Sequence, residues 1–353
     1  MQPDMPQISR FLLDWYDRNR RSFPWRASGG EIADPYRIWL SEIMLQQTGT
    51  ASVAPYFVRF TTRWPSVHAL ASAPLDEVLR EWAGLGYYAR ARNLHKCALI
   101  VSTQMNGEFP RDPEALRKLP GIGPYTAAAV AAIAFDEPGP VLDGNIERVL
   151  SRVLALTLPL KQGRPQLREA SQVLTACGRA GDTAQAMMDL GALICRPRAP
   201  DCAACPLTMS CAARERGIAE NLPVKPQKRE SPARHGAVFW LQRRDGAVLL
   251  RRRPERGLLG GMMEFPGTPW TEEMADYRDH APARCAWRAL PGTVRHVFTH
   301  FRLELTVYTG MCAGKKPADG VWAHPEALGN YALPGVMRKV AHHVQTHGTG
   351  ARP

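Results

Sequence analysis

The sequence predicts two structural classes in one chain: a mainly α region over the first two-thirds, then a smaller α+β domain. Three observations carry this. Apolar residues recur at helical spacing in one segment after another, and β signals are scarce up to residue 216. From Ile218 to His235 the chain reads IAENLPVKPQKRESPARH, where three prolines, several charges and few apolar residues mark an extended linker. Past it, the apolar period falls to two. Domains are therefore expected at 1–217 and 235–346, with a linker at 218–234.

Along the chain, residues 7–20 place Ile8, Phe11, Leu12, Trp15 and Tyr16 on one helical stripe. Ser22 to Asp34 is a polar, glycine-containing loop that carries Trp25 and Arg26. YRIWLSEIMLQQ, at 36–47, is the next helical pattern. Further helical segments are expected at about 52–62, 66–72, 76–82, 88–105, 113–118, 124–135, 146–156, 164–178 and 182–194. In the tail, Ala237–Arg243 and Ala247–Arg253 flank Asp245-Gly246, a strong hairpin signal. Phe301 to Val307 alternates strictly, and GVMRKVAHHVQT at 335–346 reads as a closing helix.

At 353 residues the chain is long enough for two or three domains, each with its own core. A net charge of +12 and a pI near 9.6 favour a polyanionic partner, nucleic acid ahead of an acidic membrane. Nothing approaches eighteen consecutive apolar residues, which argues against a membrane span. The first residues lack a signal-peptide pattern, so a cytoplasmic, nucleoid-associated chain with reduced thiols is expected.

The densest stretch is LPGIGPYTAAAVAAIAFDEPGPVLDGNIER, from Leu119 to Arg148. Gly121 and Gly123 form a Gly-x-Gly turn whose backbone N–H groups open onto a helix start, where an anion can sit. A dinucleotide fingerprint would need a preceding strand and a third glycine; the lead-in looks helical and position 126 is threonine. A plain helix–turn–helix and a phosphate-gripping helix-hairpin-helix fit the turn equally well.

Eight cysteines are present, and Cys195, Cys202, Cys205 and Cys211 fall within one short segment as C-x6-C-x2-C-x5-C. Four thiols so close in a reducing compartment point to a metal site. Tetrahedral thiolates suit zinc or an iron–sulfur cluster, and a single short C-x2-C pair leans only slightly to the latter. Arg196 and Arg198, between the first two ligands, read as phosphate contacts on a pinned loop or as a solvated surface. Cys97, Cys177, Cys285 and Cys312 are scattered and expected to be buried small hydrophobes.

LPGIGPYTA, then LDGN, then this cysteine pattern resemble, in that order, the endonuclease III superfamily of DNA glycosylases. SEIMLQQT near the start and the extra C-terminal domain resemble its adenine DNA glycosylase (MutY) branch, and the likeness covers nearly the whole chain. It implies a mainly α helix-hairpin-helix glycosylase domain with a [4Fe–4S] cluster on the four cysteines, plus a C-terminal α+β Nudix-like domain. A six-helix barrel over about 27–135 would be inserted between the N-terminal helix and the 136–217 cluster region, with the active site in the cleft.

Two acids carry the chemistry in this reading. Glu42 sits inside the apolar run IWLSEIML; buried, its carboxyl would have a raised pKa, whereas on an exposed stripe it would be an ordinary surface acid. Asp143 precedes a helix and reads alone as an N-cap. Breaking an N-glycosidic bond requires protonating the base and stabilising an oxocarbenium ion, which two carboxyls in opposite protonation states supply. The resemblance implies that Glu42 protonates adenine N7 and handles the water, that Asp143 faces the sugar, and that Asn145 holds the geometry. Tyr125 stands where strand-cleaving relatives carry a Schiff-base lysine, which implies a monofunctional enzyme. Lys118 is on the lead-in helix and is a poor substitute.

The resemblance also assigns DNA contacts to Gly121, Gly123, Gln47, Thr48, Tyr87, Arg196 and Arg198, with Gln47 and Tyr87 as wedges that fill the gap left by a flipped base. Arg90 and Arg92 are phosphate contacts or part of a solvated helix face. Trp25, Arg26 and Gln185 would line the adenine pocket. In the tail, Phe298-Thr299-His300 stands where the family reads 8-oxoguanine through Phe-Ser-His, and the glutamate-rich REx2E box of the Nudix hydrolases is missing. The implied partner is double-stranded DNA with A:8-oxoguanine or A:G mispairs, bound by a monomer with no membrane involved. A bifunctional glycosylase/lyase and a non-catalytic iron–sulfur DNA-binding protein are the alternatives.

Overall fold

The computed structural model describes residues 4–27, 33–224, 231–273, 276–312 and 320–348. Residues 225–230 of the expected linker lie outside this range. The chain divides into two compact units, residues 1–72 with 93–228, and residues 73–92 with 229–353.

Helices account for the first two-thirds. They are α1 (Met5–Asn19), α2 (Pro35–Leu45), α3 (Thr50–Arg63), α4 (Val67–Ser72), α5 (Leu75–Glu81), α6 (Ala89–Gln104), α7 (Pro113–Arg117), α8 (Pro124–Phe135), α9 (Gly144–Val153), α10 (Leu160–Thr175), α11 (Ala180–Leu193) and α12 (Ala212–Glu215). Asp4, Asp34 and Asp112 cap α1, α2 and α7, each with a proline in the following turn, so donor loss falls where no helical partner exists. The stripe on α1 buries Ile8, Leu12, Trp15 and Tyr16 in one core with α8, α9, α10 and α11. Each such side chain stabilises the unit by roughly 2 kcal/mol of transfer free energy. The N-terminal helix is thus built into the region that carries the cysteines.

Helix α8 is the centre of this unit. Its residues Thr126 to Ala132 and Ala134 are buried, and six of these eight are alanine. Small side chains let neighbours approach closely: a Cβ on Gly181 of α11 would lie 2.6 Å from the Ala132 carbonyl oxygen. No strand leads into the Gly121–Gly123 turn; α7 does, which rules out the dinucleotide fingerprint.

Most helix boundaries lie within about two residues of the periodicity, and the starts of two helices show what sets them. Helix α9 starts at Gly144 because Asp143 accepts the N–H groups of Asn145 and Ile146. Helix α10 starts at Leu160, since Gln162 and Gly163 donate to the Pro159 carbonyl, and Pro165 is tolerated inside it. Cys177 is exposed rather than buried, lying in the turn just past α10.

The second unit is a mixed sheet of β1 (Ala233–Arg243), β2 (Val248–Arg252), β3 (Met263–Glu264), β4 (Arg288–Ala289), β5 (Val294–Val297), β6 (Arg302–Cys312) and β7 (Val321–Ala323), closed by α13 (Gly335–His347). The order is β3-β2-β1-β6-β4, with β5 on β6 and β7 on β2. Strands β1 and β6 run parallel, Ala233 opposite Arg302. The β1–β2 turn places only Gly246 in the left-handed region, at φ +88°, a three-residue loop rather than a two-residue one. Leu303, Leu305 and Val307 of β6 face the core, where α13 buries Val336, Met337 and Val340. Helix α5 belongs to this unit, its Asp76 paired with Arg252 at 2.9 Å. Among the described residues no helix is long and apolar enough to cross a membrane.

Candidate active site

A cavity of about 880 Å³ opens in the first unit between α2, α8, α9 and α11. Glu42, Tyr125, Asp143 and Asn145 line it. So do Trp25, Arg26 and Gln185, as well as Gln47, Thr48, Gly121 and Gly123. Lys118 is exposed on α7's C-terminal side and is not among the lining residues.

Glu42 is 5% exposed, so it is not on a solvated stripe. Burial pushes its carboxyl up to about 7; the Asp143 charge adds to this, and a hydrogen bond from Tyr125 and the Arg26 charge oppose it. The Tyr125 hydroxyl donates to Oε2 at 2.9 Å. That leaves Oε1 to carry and deliver a proton near neutral pH.

Asp143 is both the N-cap of α9 and a wall of the cavity, so its two sequence readings hold at once. Its Oδ1 accepts the backbone N–H of Asn145 at 3.0 Å and of Ile146 at 2.7 Å, and its Oδ2 accepts Asn145 Nδ2 at 2.7 Å. Burial raises the Asp143 pKa, and these donors pull against that rise by favouring the anion. Glu42, by contrast, has one donor among the described residues. Asn145 is held in turn: Arg148 donates through Nη2 to its Oδ1 at 2.9 Å, and through Nε to the Cys195 carbonyl at 2.8 Å. A continuous hydrogen-bonded path therefore runs from Asp143 to the backbone of the first cysteine in the C-x6-C-x2-C-x5-C segment.

Trp25 is buried, stacked on Phe23 at 4.9 Å. Arg26 is fixed by Asp189, with Nη1 to Oδ2 at 2.6 Å and Nη2 to Oδ1 at 2.9 Å. Arg21 adds its backbone N–H and its Nε to the same carboxylate, at 3.0 and 2.7 Å. Sequence reasoning missed Asp189. Its signal was the one that flagged Glu42, a lone acid in an apolar run (AQAMMDLGAL), four residues after Gln185 on one helix face.

At the hairpin, Gly121 has φ +80°, and a Cβ there would meet Asn93 Cβ at 2.8 Å. Gly123 caps α8 in extended backbone with open space at its Cβ position. The first turn of α8 thus presents N–H groups that have no partner within the helix. Gln47 and Tyr87 are both exposed non-glycine residues in the left-handed region, at φ 58° and 46°. Such backbone is rare outside glycine and concentrates at functional positions. Thr48 donates its N–H to Leu45 at 3.2 Å.

In the second unit, Phe298 packs against Phe301, Trp270 and His296, and donates its N–H to the Phe301 carbonyl. Thr299 and His300 form the exposed tip, and the Tyr87 hydroxyl pairs with Thr299 Oγ1. Arg90 is buried and donates to the carbonyls of Leu85 and Gly86 at 3.0 and 3.3 Å, which braces a turn instead of a solvated face. Arg92 donates to the Gly260 carbonyl.

Cys195, Cys202, Cys205 and Cys211 line one small pocket with Arg152, Asp201 and Arg214. Among the described residues no three His, Cys, Asp or Glu side chains meet at a single-ion position. Arg196 donates to the carbonyls of Leu193 and Ala199 at 3.2 and 3.0 Å and braces this loop, while Arg198 is exposed.

Comparison with known proteins follows the same division. A family profile described as HhH-GPD superfamily base excision DNA repair protein matches residues 40–172, and a NUDIX domain profile matches 237–343. The adenine DNA glycosylase of Rattus norvegicus is 34% identical, over 98% of this chain and 80% of that one. The Homo sapiens protein of the same name is also 34% identical, over 96% and 74%. A solved thermostable thymine-DNA glycosylase is 28% identical with a TM-score of 0.53, covering 60% of this chain and 97% of that one.

Proposed function

The chain belongs to the adenine DNA glycosylases, helix-hairpin-helix proteins of base excision repair with a C-terminal Nudix domain, and from that premise we propose the reaction, substrate and cofactor in detail. It hydrolyses the N-glycosidic bond of adenine opposite 8-oxoguanine or guanine in double-stranded DNA and leaves the strand intact. The observation that carries this is one cavity holding two carboxyls, both raised by burial but unequally supplied with donors: Glu42 is pushed up to about 7 with a single phenol hydroxyl on it, while three donors on Asp143 pull against its rise. Glu42 protonates adenine N7 as the glycosidic bond lengthens. Asp143 stabilises the developing positive charge on the sugar, and Asn145 keeps Asp143 aimed. Water then adds to the sugar, giving up its proton to Glu42.

Strand cleavage by a Schiff base needs an amine in this cavity. Tyr125 occupies the hairpin helix position and Lys118 is not a lining residue, which supports a monofunctional enzyme. The α8 N–H groups beside Gly121 and Gly123 hold a phosphate. Gln47 and Tyr87 fill the gap left by the flipped adenine, which rests among Trp25, Arg26 and Gln185. Thr299, within the Phe298–His300 tip, reads 8-oxoguanine.

The four cysteines suit a [4Fe–4S] cluster. The donor set is all sulfur and lines one pocket, which fits an iron–sulfur cluster, and the family to which the chain belongs favours the cluster over zinc. When bound, the cluster supplies four iron–sulfur bonds that pin the 195–211 loop.

Single-turnover adenine release from duplexes differing only in the opposite base tests the reading. Fastest release opposite 8-oxoguanine is expected, with no borohydride-trapped adduct. Equal rates for all opposite bases remove the tail from specificity, and absence of adenine release from any duplex overturns the assignment.

A further inference from the structure

Next to the cysteine pocket the structure buries a guanidinium that, among the described residues, has no carboxylate partner. Arg152 of α9 is 2% exposed and lines the pocket formed by the four cysteines. Three of its donors are accounted for: Nε to the Leu222 carbonyl at 3.0 Å, Nη1 to the Arg196 carbonyl at 2.8 Å, and Nη1 to Cys195 Sγ at 3.1 Å. Its Nη2 is buried with no hydrogen-bond partner among the described residues. Asp201, the acid lining the same pocket, turns its Oδ1 to the Ala204 N–H at 3.2 Å. One turn earlier on the same helix, Arg148 is buried as well. Arg148 has the Asp143 charge beside it and places its donors on Asn145, Gly191, Gly144 and Cys195, whereas the Arg152 charge is left to an anion in the cysteine pocket, because a buried charge without one is strongly disfavoured.

We propose that Arg152 is a direct hydrogen-bond donor to the iron–sulfur cluster held by Cys195, Cys202, Cys205 and Cys211, with Nη1 on the Cys195 sulfur and Nη2 on a further sulfur of the cluster. The inference rests on the cluster reading above. A fixed positive charge and N–H donors at cluster sulfurs stabilise the more reduced, more negative state, so Arg152 raises the reduction potential. This makes Arg152 a tuning residue and not only a loop brace, although its bonds to Leu222 and Arg196 also tie the loop to α9.

The experiment measures iron and sulfide content and the cluster midpoint potential for wild type, Arg152→Lys and Arg152→Gln. Arg152→Gln is expected to shift the midpoint to lower potential, with Arg152→Lys lying between because it keeps the charge and loses the fork. An iron-loaded Arg152→Gln protein with an unchanged midpoint overturns the inference and leaves the cluster reading standing. Wild-type protein that holds zinc in place of iron and sulfide overturns the cluster reading itself. If the glutamine variant does not fold, wild-type protein with nitrogen-labelled arginine decides. A hyperfine coupling between the oxidised cluster and an arginine nitrogen, lost in Arg152→Lys, supports the proposal, and its absence in the wild type sinks it.

Discussion

Helices α2 and α11 form two walls of the same cavity, and each buries one acid: Glu42 on the first, Asp189 on the second. In sequence the two look alike, a single carboxylate within an apolar helical run. Their surroundings separate them. Glu42 receives one phenol hydroxyl and is driven up to about 7, chiefly by burial. For Asp189 burial acts in the same direction, but hydrogen bonds and charge from Arg26 and Arg21 outweigh it and hold the carboxyl below its usual range. The lesson is that desolvation alone produces a proton donor, while desolvation plus two guanidiniums produces a permanent anchor.

Replacing Glu42 should break the comparison most. Glu42→Gln keeps the shape and removes the transferable proton, so base release in single turnover should fall by about 10³-fold with duplex binding retained. A loss of less than about tenfold would mean the proton comes from elsewhere. Asp189→Asn attacks the other wall. Arg21 and Arg26 would then lose a shared buried partner, at a cost of about 3 kcal/mol of folding stability, read as a lower denaturation midpoint.

The pH dependence of folding sharpens the contrast further. An acid whose folded pKa is raised favours folding while protonated. For Glu42 that contribution is complete below about 4.5 and is lost as pH rises through about 7. The wild type should therefore lose about 3 kcal/mol across this window relative to Glu42→Gln, which has nothing to titrate there. Asp189 slopes the other way, its contribution lost as pH falls through its depressed pKa. Parallel stability curves for wild type and Glu42→Gln would contradict the raised carboxyl. The smallest effect belongs to Tyr125→Phe. Its hydroxyl lowers the Glu42 pKa, so deleting it should move the basic limb of the rate profile to higher pH, with a change in rate of less than about tenfold.

Much of this was legible in the sequence because it is local. The helical stripes, the glycine hairpin, the alternating strand at 301–307 and the four cysteines each announce themselves within a few residues. Glu42 carried a conditional statement, a raised pKa if buried, and only packing supplied the condition. Asp143 looked like a cap and is one; that it also faces the cavity depends on how the loop after α8 returns. Asp189 escaped because its partners, Arg21 and Arg26, lie some 160 residues away in sequence and no local period links them. The pairing of Tyr87 with Thr299 was hidden for the same reason, whereas the bracing role of Arg90 is local, on carbonyls four and five residues back, and was masked because a turn brace and a solvated arginine look alike in sequence.

Helix α8 carries a consequence for the precision of the site. Tyr125 stands on it, α2 with Glu42 and α11 with Asp189 pack against it, and Asp143 follows it along the chain. An alanine has no side-chain rotamer to freeze, so the alanines of this shared axle add backbone but no side-chain entropy to what folding loses. Backbone rests nearly directly on backbone, as at Gly181 against Ala132, and the acids inherit their separation from main-chain geometry. Warming a core populates alternative rotamers; the alanines of this helix have none to populate, so the helices that carry the acids are seated on a contact that side-chain motion does not loosen.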